Sequence, residues 1–198
     1  MHGNPGTAIP MPTNKSLQYT ITTTEPDSGG DTGVRTQTLN LEEGWNTVSF
    51  NVVPTNPSVE TLFAGIRDHL VLVQNNTGQV YYPEFEIDDI GTWNVAEAYE
   101  VNTTAPVTLA VSGLPIDPES TPITLSAGWN LVPYYPDTEM AIEEALASIA
   151  DKVVVVLDNL GRVYYPEFDI NDIGTMKPGQ GYSIYVSDTA VLTYPPDP

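Results

Sequence analysis

Apolar and polar residues alternate over many short segments of this chain, which predicts β-strands because successive side chains of a strand point to opposite faces of a sheet. In the first part of the chain these segments are residues 17–23, 38–41, 45–53, 69–74, 79–83, 98–101 and 107–111. A second series follows at residues 123–125, 129–134, 162–166, 182–186 and 190–194. The wholly apolar residues 153–157 predict a buried central strand.

Two segments have the apolar spacing of an amphipathic helix instead. The first begins at Asn56-Pro57, an N-cap residue followed by a proline at the first helical position. Its apolar stripe is Val59, Leu62, Phe63 and Ile66. The second follows an expected cap at Asp137 or Thr138. Its stripe is Ile142, Ala145, Leu146 and Ile149.

A thirteen-residue block occurs twice, at residues 80–92 and 163–175, with eleven identical positions. The two changes, Glu86 to Asp169 and Asp88 to Asn171, keep polar side chains of similar size. A Gly-Trp-Asn triplet also recurs, at residues 44–46 and 128–130. Because the copies are 83 or 84 residues apart, they predict a duplicated small domain.

We therefore expect an α+β fold of two homologous, mostly antiparallel β modules, each with one covering helix, preceded by an extended N-terminal arm. The expected arm is residues 1–37, the first module residues 38–113 and the second module residues 122–198. Residues 114–121 are rich in proline and polar side chains, which is typical of a linker.

The net charge of −20, with only six Lys and Arg residues, excludes sequence-independent nucleic-acid binding and disfavours anionic membrane surfaces. The same surface suits a saline medium, where its self-repulsion is screened. Without cysteines the chain has no disulfide framework and no thiolate metal site. No apolar run is long enough for a membrane span, and the N-terminus lacks the pattern of a signal peptide. A trimmed chain, a fragment of an exported protein and a virion component all remain open.

The Gly-Trp-Asn triplet, the Val-Tyr-Tyr-Pro segment and the glycine-rich residues 177–182 together resemble a repeat module of large secreted, multidomain bacterial proteins. The resemblance covers residues 38 to about 195 and is strongest in the second copy, through Gly174, Pro178, Gly179, Gly181 and Tyr182. The first copy departs from it at residues 94–99. The resemblance implies an extracellular, non-catalytic accessory segment and no catalytic residues.

Catalytic and metal-binding residues have weak support in the sequence. The two histidines, His2 and His69, have no partners in a pattern that a catalytic triad or a zinc site needs.

Carboxylates near the repeated block could ligate Ca²⁺ through hard oxygen atoms, but the EF-hand spacing is missing. These weak candidates are Glu84, Asp88, Asp89, Glu167 and Asp172. The favoured interpretation is that Phe85, Ile87 and Ile90 fill the core while the acids face water. A glycosidase with paired carboxylates is disfavoured because a small module rarely encloses a substrate cleft.

The aromatic residues are the stronger functional candidates. Trp93, Tyr82 and Tyr165 are the residues that we expect to offer exposed rings to a ligand, while Trp45 and Trp129 are expected to fill the two cores. Adjacent tyrosines of a strand point to opposite faces, so one of each Tyr-Tyr pair can be exposed, and the sequence does not say which.

The hypothesis is a structural or interaction protein without enzymatic activity or cofactor, at the exterior of a cell or virion. It would act as a spacer, an adhesion element or a coat-decorating element. Its partners would be proteins, including further copies of itself bound through Leu17, Tyr19 and Ile21 of the arm by strand addition. The alternative is a carbohydrate-binding module that uses exposed Tyr and Trp side chains.

Overall fold

The computed structural model describes residues 18–22 and 33–196, and this part of the chain is rich in β-strand, with several antiparallel sheets and few, short helices. In chain order the strands are β1 (Gln18–Thr22), β2 (Arg35–Leu41), β3 (Gly44–Val48), β4 (Val52–Pro54), β5 (Leu70–Gln74), β6 (Val80–Tyr82), β7 (Ile87–Asp88), β8 (Tyr99–Thr103), β9 (Val107–Pro115), β10 (Ile123–Leu125), β11 (Gly128–Pro133), β12 (Met140–Ala141), β13 (Val153–Leu157), β14 (Val163–Tyr165), β15 (Ile170–Asn171), β16 (Thr175–Met176), β17 (Gly181–Val186) and β18 (Ala190–Leu192). The antiparallel, β-rich class predicted from the alternation is confirmed.

Two five-stranded antiparallel sheets have equivalent strand orders. One has the order β3-β8-β5-β6-β7 and the other the order β11-β17-β13-β14-β15. A register irregularity occurs at the equivalent place in both, at residues 70–72 and 153–155. We refer to residues 33–115 as the first half and to residues 116–196 as the second half. A residue of the first half corresponds to the one 83 or 84 positions later.

Smaller sheets accompany the two five-stranded ones. The second half has the pairs β10-β18 and β12-β16, and the first half has the order β1-β2-β9-β4. Strand β9 continues to Pro115, so the first two residues of the expected linker are strand. At its end β9 pairs with β4, and a Cβ atom on Gly113 would lie 2.0 Å from the carbonyl oxygen of Val53. Only glycine permits this close approach of the two backbones.

The strand expected at residues 17–23 is present as β1. It pairs with β2 of its own chain, with Tyr19 opposite Leu39 and Ile21 opposite Gln37. Leu17 lies outside the described residues. Strand β1 is the terminal strand of its sheet, so one of its edges pairs with β2 and the other faces away from the sheet.

The helices are shorter than their apolar stripes suggested. Helix α1 (Val59–Phe63) and helix α2 (Ile142–Ala145) continue as 3-10 turns, at Ala64–His69 and Ala147–Ile149. The predicted stripes do face the cores. The expected caps were wrong, because Ser58 accepts the hydrogen bond from Thr61 N in α1, and Ala141, which cannot cap, precedes α2.

The buried apolar residues form two cores, one in each half. The first contains Phe50, Phe63 and Trp93, and the second contains Tyr134, Tyr182 and Tyr194. Val95 packs against both cores. Among the described residues, no helix is long and apolar enough to cross a membrane.

Reciprocal contacts join the two halves at the edges of their sheets. The Asn159 side chain accepts a hydrogen bond from Thr47 N at 2.6 Å, and the corresponding Asn76 side chain accepts one from Leu131 N at 3.3 Å. Thr47 lies in edge strand β3, and Leu131 lies in the equivalent edge strand β11. Each half therefore caps a backbone N–H group on the edge of the other, as in a two-fold interface within one chain.

The same junction brings two equivalent residues, Ala98 and Gly181, into contact. A Cβ atom on Gly181 would lie only 2.4 Å from that of Ala98. Ala98 N donates a hydrogen bond to Leu131 O, and Val48 pairs with Gln180 across the same junction. An ion pair between Arg35 and Asp137 also joins the halves. These contacts make the two halves one packed unit.

Candidate functional site

The repeated Gly-Trp-Asn triplet places its tryptophan outside the protein and its asparagine inside. Asn46 is fully buried, and its amide group accepts a hydrogen bond from Glu42 N and donates to the carbonyl oxygens of Glu42 and Gly44. Asn130 makes the same bonds with Ser126 and Gly128. Because neighbouring residues of a strand face opposite ways, the tryptophan beside each asparagine must point outward.

Trp45 and Trp129 are 52% and 50% exposed, so the expectation that they fill the cores was wrong. The sequence carried a usable signal that was missed, because a polar residue that must close a turn fixes the orientation of its neighbour. Trp129 contacts Tyr185 edge to face, with ring centroids 5.4 Å apart. Sequence reasoning also missed Tyr185 as an exposed aromatic residue.

Cross-strand partners share a face of a sheet, so the outer face of each five-stranded sheet carries a row of side chains, of which all but Asn102 are aromatic or apolar. In the first half the row is Trp45, Asn102, Leu72, Tyr82 and Ile87. In the second half the row is Trp129, Tyr185, Val155, Tyr165 and Ile170. We call these the first and second aromatic rows. At a strand spacing of about 4.8 Å, each row is about 19 Å long.

Both tyrosines predicted to be exposed lie in these rows. Tyr82 and Tyr165 are half-buried on the outer face, while Tyr81 is buried in the first core. Phe85 packs edge to face on Tyr82, and Phe168 packs in the same way on Tyr165, both with centroids 4.6 Å apart. Each row therefore carries a repeated pair of aromatic rings beside its terminal isoleucine.

Of the three residues of the repeated block that were expected to fill the core, Ile90 packs against it, as its counterpart Ile173 does in the second half, but Phe85 and Ile87 do not. Phe85 is 60% and Ile87 is 40% exposed, and their counterparts Phe168 and Ile170 are exposed to nearly the same degree. The reason is a tight turn in which Glu86 and Asp169 adopt a left-handed backbone, with φ of 56° and 53°. This turn directs the phenylalanines onto the outer tyrosines.

Trp93, predicted to be an exposed platform, is 3% exposed and belongs to the first core. Its ring stacks between Phe50 and Tyr99, with centroid distances of 4.1 and 3.8 Å. The equivalent residue of the second half is the buried Met176. Trp93 thus occupies a core position, and it has no face to offer a ligand.

The weak calcium candidates are not brought together. Within residues 18–22 and 33–196, no group of three or more His, Cys, Asp or Glu side chains is arranged to hold a metal ion. Asp88 has a structural contact instead, because its carboxylate accepts a hydrogen bond from Gly91 N at 2.7 Å. Asn171 accepts the same bond from Gly174 N at 2.7 Å, which explains why either residue fits this position. Glu84, Asp89, Glu167 and Asp172 are exposed.

A shallow cleft recurs beside the end of each row. In the first half it has a volume of about 250 Å³ and is lined by Glu60, Arg67, Tyr81, Pro83, Glu86, Ile87 and Asp88. In the second half it has a volume of about 290 Å³ and is lined by Glu143, Tyr164, Pro166, Asp169, Ile170 and Asn171. Apart from Arg67, these two sets of lining residues correspond position by position.

The two clefts differ in electrostatics. Burial raises the pKa of Tyr81, and the positive charge of Arg67 opposes that rise. Burial also raises the pKa of Tyr164, and the Glu143 carboxylate raises it further. The second cleft therefore has a negative field without the cation of the first.

The outer face of the first half also holds a partly buried carboxylate. Burial raises the pKa of Glu100, and the hydrogen bond that Glu100 accepts from Thr47 Oγ1 at 3.0 Å opposes the rise. His69 is exposed, and its Nδ1 atom lies 3.5 Å from Thr104 Oγ1.

No protein-family model, curated protein or solved structure matches this chain.

Proposed function

We propose that this chain is a non-enzymatic interaction protein that docks onto its partner through the outer faces of its two five-stranded sheets. The supporting observation is the recurrence of an exposed aromatic row in both halves. Exposed contiguous apolar surface on a protein marks an interaction site more often than it serves stability. Aromatic residues are also the side chains that contribute most to binding at interfaces.

We further propose that the two halves are homologous modules that arose by duplication. The identical residues of the repeated block and the equivalent strand orders support this origin. The packed junction would then hold two similar docking faces in a fixed relation, so that the chain acts as a rigid two-site spacer. Two linked sites gain affinity through effective concentration without any new contact.

The exterior of a cell or a virion is the proposed location. Its supports are the resemblance to repeat modules of secreted bacterial proteins and the net charge of −20, which suits a saline medium. There the chain would act as a spacer, an adhesion element or a coat-decorating element.

The first experiment measures whether the chain self-associates through the aromatic rows. We expect the light-scattering mass of the full chain to rise with concentration, and a variant with Trp45, Phe85, Trp129 and Phe168 all changed to serine to stay monomeric. These four side chains are at least half exposed, so the variant should keep its fold and its circular dichroism spectrum. A wild-type mass that equals the monomer at every concentration would restrict the docking faces to a different molecule.

Strand β1 of the arm gives a second route to assembly, because its outer edge is the end of a sheet. Proline at Tyr19 and Ile21 removes the N–H groups of one edge of β1, whereas proline at Gln18 and Thr20 removes those of the other. One pair of changes should abolish assembly without loosening β1 from β2. Assembly that survives both pairs would exclude strand addition.

A carbohydrate-binding function is the second candidate, and the exposed, edge-to-face Trp129–Tyr185 pair is the observation that favours it. A glycan array should then show binding that is lost in Trp129→Ala and retained in Val191→Ala, a control at another exposed apolar residue. Binding that is equal in all three proteins, or absent in the wild type, would exclude this candidate.

A further inference from the structure

The first cleft contains its own arginine, and that arginine shows what the second cleft can bind. The guanidinium group of Arg67 donates a hydrogen bond to Tyr81 Oη at 3.2 Å and another to the carbonyl oxygen of Pro83 at 3.3 Å. It also lies 3.6 Å from the carboxylate of Glu60. One hydroxyl, one carbonyl and one carboxylate group thus contact a planar cation whose side chain is 46% exposed.

The second half keeps the three acceptor groups and lacks the cation. Tyr164, Pro166 and Glu143 correspond to Tyr81, Pro83 and Glu60, whereas Ala150 stands in the place of Arg67. Tyr81 and Pro83 are buried, whereas Tyr164 and Pro166 are half-exposed. This difference is expected where no arginine side chain covers the tyrosine and the proline. Within the described part of the chain, the Tyr164 hydroxyl makes no hydrogen bond.

We propose that the cleft of the second half binds the guanidinium group of an arginine side chain that belongs to a partner protein. The arginine would enter from solvent, donate to Tyr164 Oη and to the carbonyl oxygen of Pro166, and pair with the Glu143 carboxylate. Glu143 already accepts a hydrogen bond from Asn171 Nδ2 at 2.8 Å, but a carboxylate has acceptor positions for several donors.

The arginine comes from another protein because this chain has none to spare. Its three arginines are engaged internally: Arg35 with Asp137, Arg67 in the first cleft and Arg162 with Asp158. The net charge of −20 steers a positively charged partner toward this surface. Arginine fits better than lysine, since its planar group donates to several acceptors at once.

Ile170 lines the cleft and also ends the second aromatic row. A single partner can therefore place an arginine in the cleft and apolar side chains along the row. The cleft is nevertheless an independent site, because its acceptor groups do not depend on whether the row binds anything.

The test is a titration of the full chain with N-acetyl-arginine-methylamide, followed by NMR chemical shifts and with N-acetyl-lysine-methylamide as the matched probe. We expect one saturable arginine site with a dissociation constant on the order of 1 mM. Tyr164→Phe should weaken it by about tenfold, the equivalent of one hydrogen bond. Equal affinity for the lysine and arginine probes would overturn the proposal.

Two exchanges between the halves make the test specific. Ala150→Arg supplies the missing side chain, so it should abolish binding of the probe and raise the melting temperature. Arg67→Ala removes the arginine from the lining of the first cleft, so it should raise the number of probe-binding sites from one to two. Probe binding that persists in Ala150→Arg would contradict the proposal. Probe binding by Arg67→Ala together with no binding by the wild type would contradict it as well. Free arginine is the final probe: binding much tighter than that of the blocked amino acid would assign the cleft to the free amino acid instead of a protein side chain.

Discussion

The outer faces of the two sheets have the same register of strands but different side chains. Beside the first aromatic row lie Thr47, Glu100, Gln74 and Val80. The equivalent positions beside the second row are Leu131, Ser183, Leu157 and Val163. Within the rows, Asn102 of the first half corresponds to Tyr185 of the second. The second face is therefore more apolar and more aromatic than the first.

The inner faces, in contrast, keep their contacts. Tyr99 and Tyr182 both accept a hydrogen bond from a backbone N–H group five residues earlier, that of Asn94 at 2.9 Å and that of Lys177 at 2.8 Å. Asn46 and Asn130 close the same turn in both halves. Folding thus explains the inner positions, while the outer positions differ in a way that the fold does not require. Under the proposed docking function, we expect the second outer face to contribute more to binding than the first.

The largest expected effect separates inner from outer aromatic residues. Trp93→Ala should lower the free energy of unfolding by about 3–5 kcal/mol, because it removes a stacked ring from the first core. Trp45→Ala and Trp129→Ala remove half-exposed rings and should cost about 1 kcal/mol or less. Urea unfolding of the three variants measures this order. Similar losses in all three would contradict the division into two faces.

Substitutions at the junction between the halves should have the next largest effect on stability. Gly181→Ala introduces a Cβ atom against that of Ala98 and should cost about 1–3 kcal/mol. Gly65→Ala is the control, because a Cβ atom there meets open space. The exchange Ala98→Gly together with Gly181→Ala should restore most of the lost stability. A double variant no better than Gly181→Ala alone would show that the two positions do not meet.

The reciprocal asparagine caps should contribute unequally. Asn159→Ala removes a 2.6 Å hydrogen bond to Thr47 N, and we expect a loss of about 1 kcal/mol. Asn76→Ala removes the longer 3.3 Å bond to Leu131 N and should cost about half as much. Thermal unfolding of the two single variants and of the double variant tests this. Unchanged thermal unfolding in both variants would show that the asparagine hydrogen bonds do not stabilise the junction.

Glu100 gives the smallest expected effect and one that depends on pH. Its raised pKa means that the folded chain binds this proton more tightly than the unfolded chain does. The free energy of unfolding should therefore fall as pH rises through the range between the unfolded and folded pKa values. Glu100→Gln should remove this part of the pH dependence and stabilise the chain at neutral pH. A steeper dependence in Glu100→Gln would reverse the sign of the argument.

The strands and the buried stripes could be predicted because they depend on local alternation. Residues 153–157 were expected as a strand and form β13 with those limits, and Phe63 and Ile149 face the cores as their helical spacing indicated. The repeat predicted equivalent positions for Tyr82 and Tyr165, although the sequence did not say which tyrosine of each pair faces outward. Each of these results follows from a period of two or of 3.6 residues.

The orientation of the tryptophans and the junction required more than local pattern. Trp45 faces outward because Asn46 must close a turn, and hydrophobicity alone suggested the reverse. Asn76 and Asn159 lie in turns where their side chains carry no local signal of a contact about 55 or 112 residues away in the chain. Trp93 lies just after the repeated block, where the second half has Met176, so the repeat did not predict whether Trp93 is buried.

Fluorescence quenching of the three tryptophans tests whether Trp93 is buried while Trp45 and Trp129 lie on the outer faces. The double variant Trp45→Phe with Trp129→Phe keeps only Trp93, whereas Trp93→Phe keeps the two tryptophans of the rows. We expect blue-shifted emission and weak acrylamide quenching from the double variant, and red-shifted emission with strong quenching from Trp93→Phe. Acrylamide is neutral, so the charge of −20 does not bias the result. Strong quenching of Trp93 and protection of Trp45 and Trp129 would contradict the assignment of the outer aromatic rows.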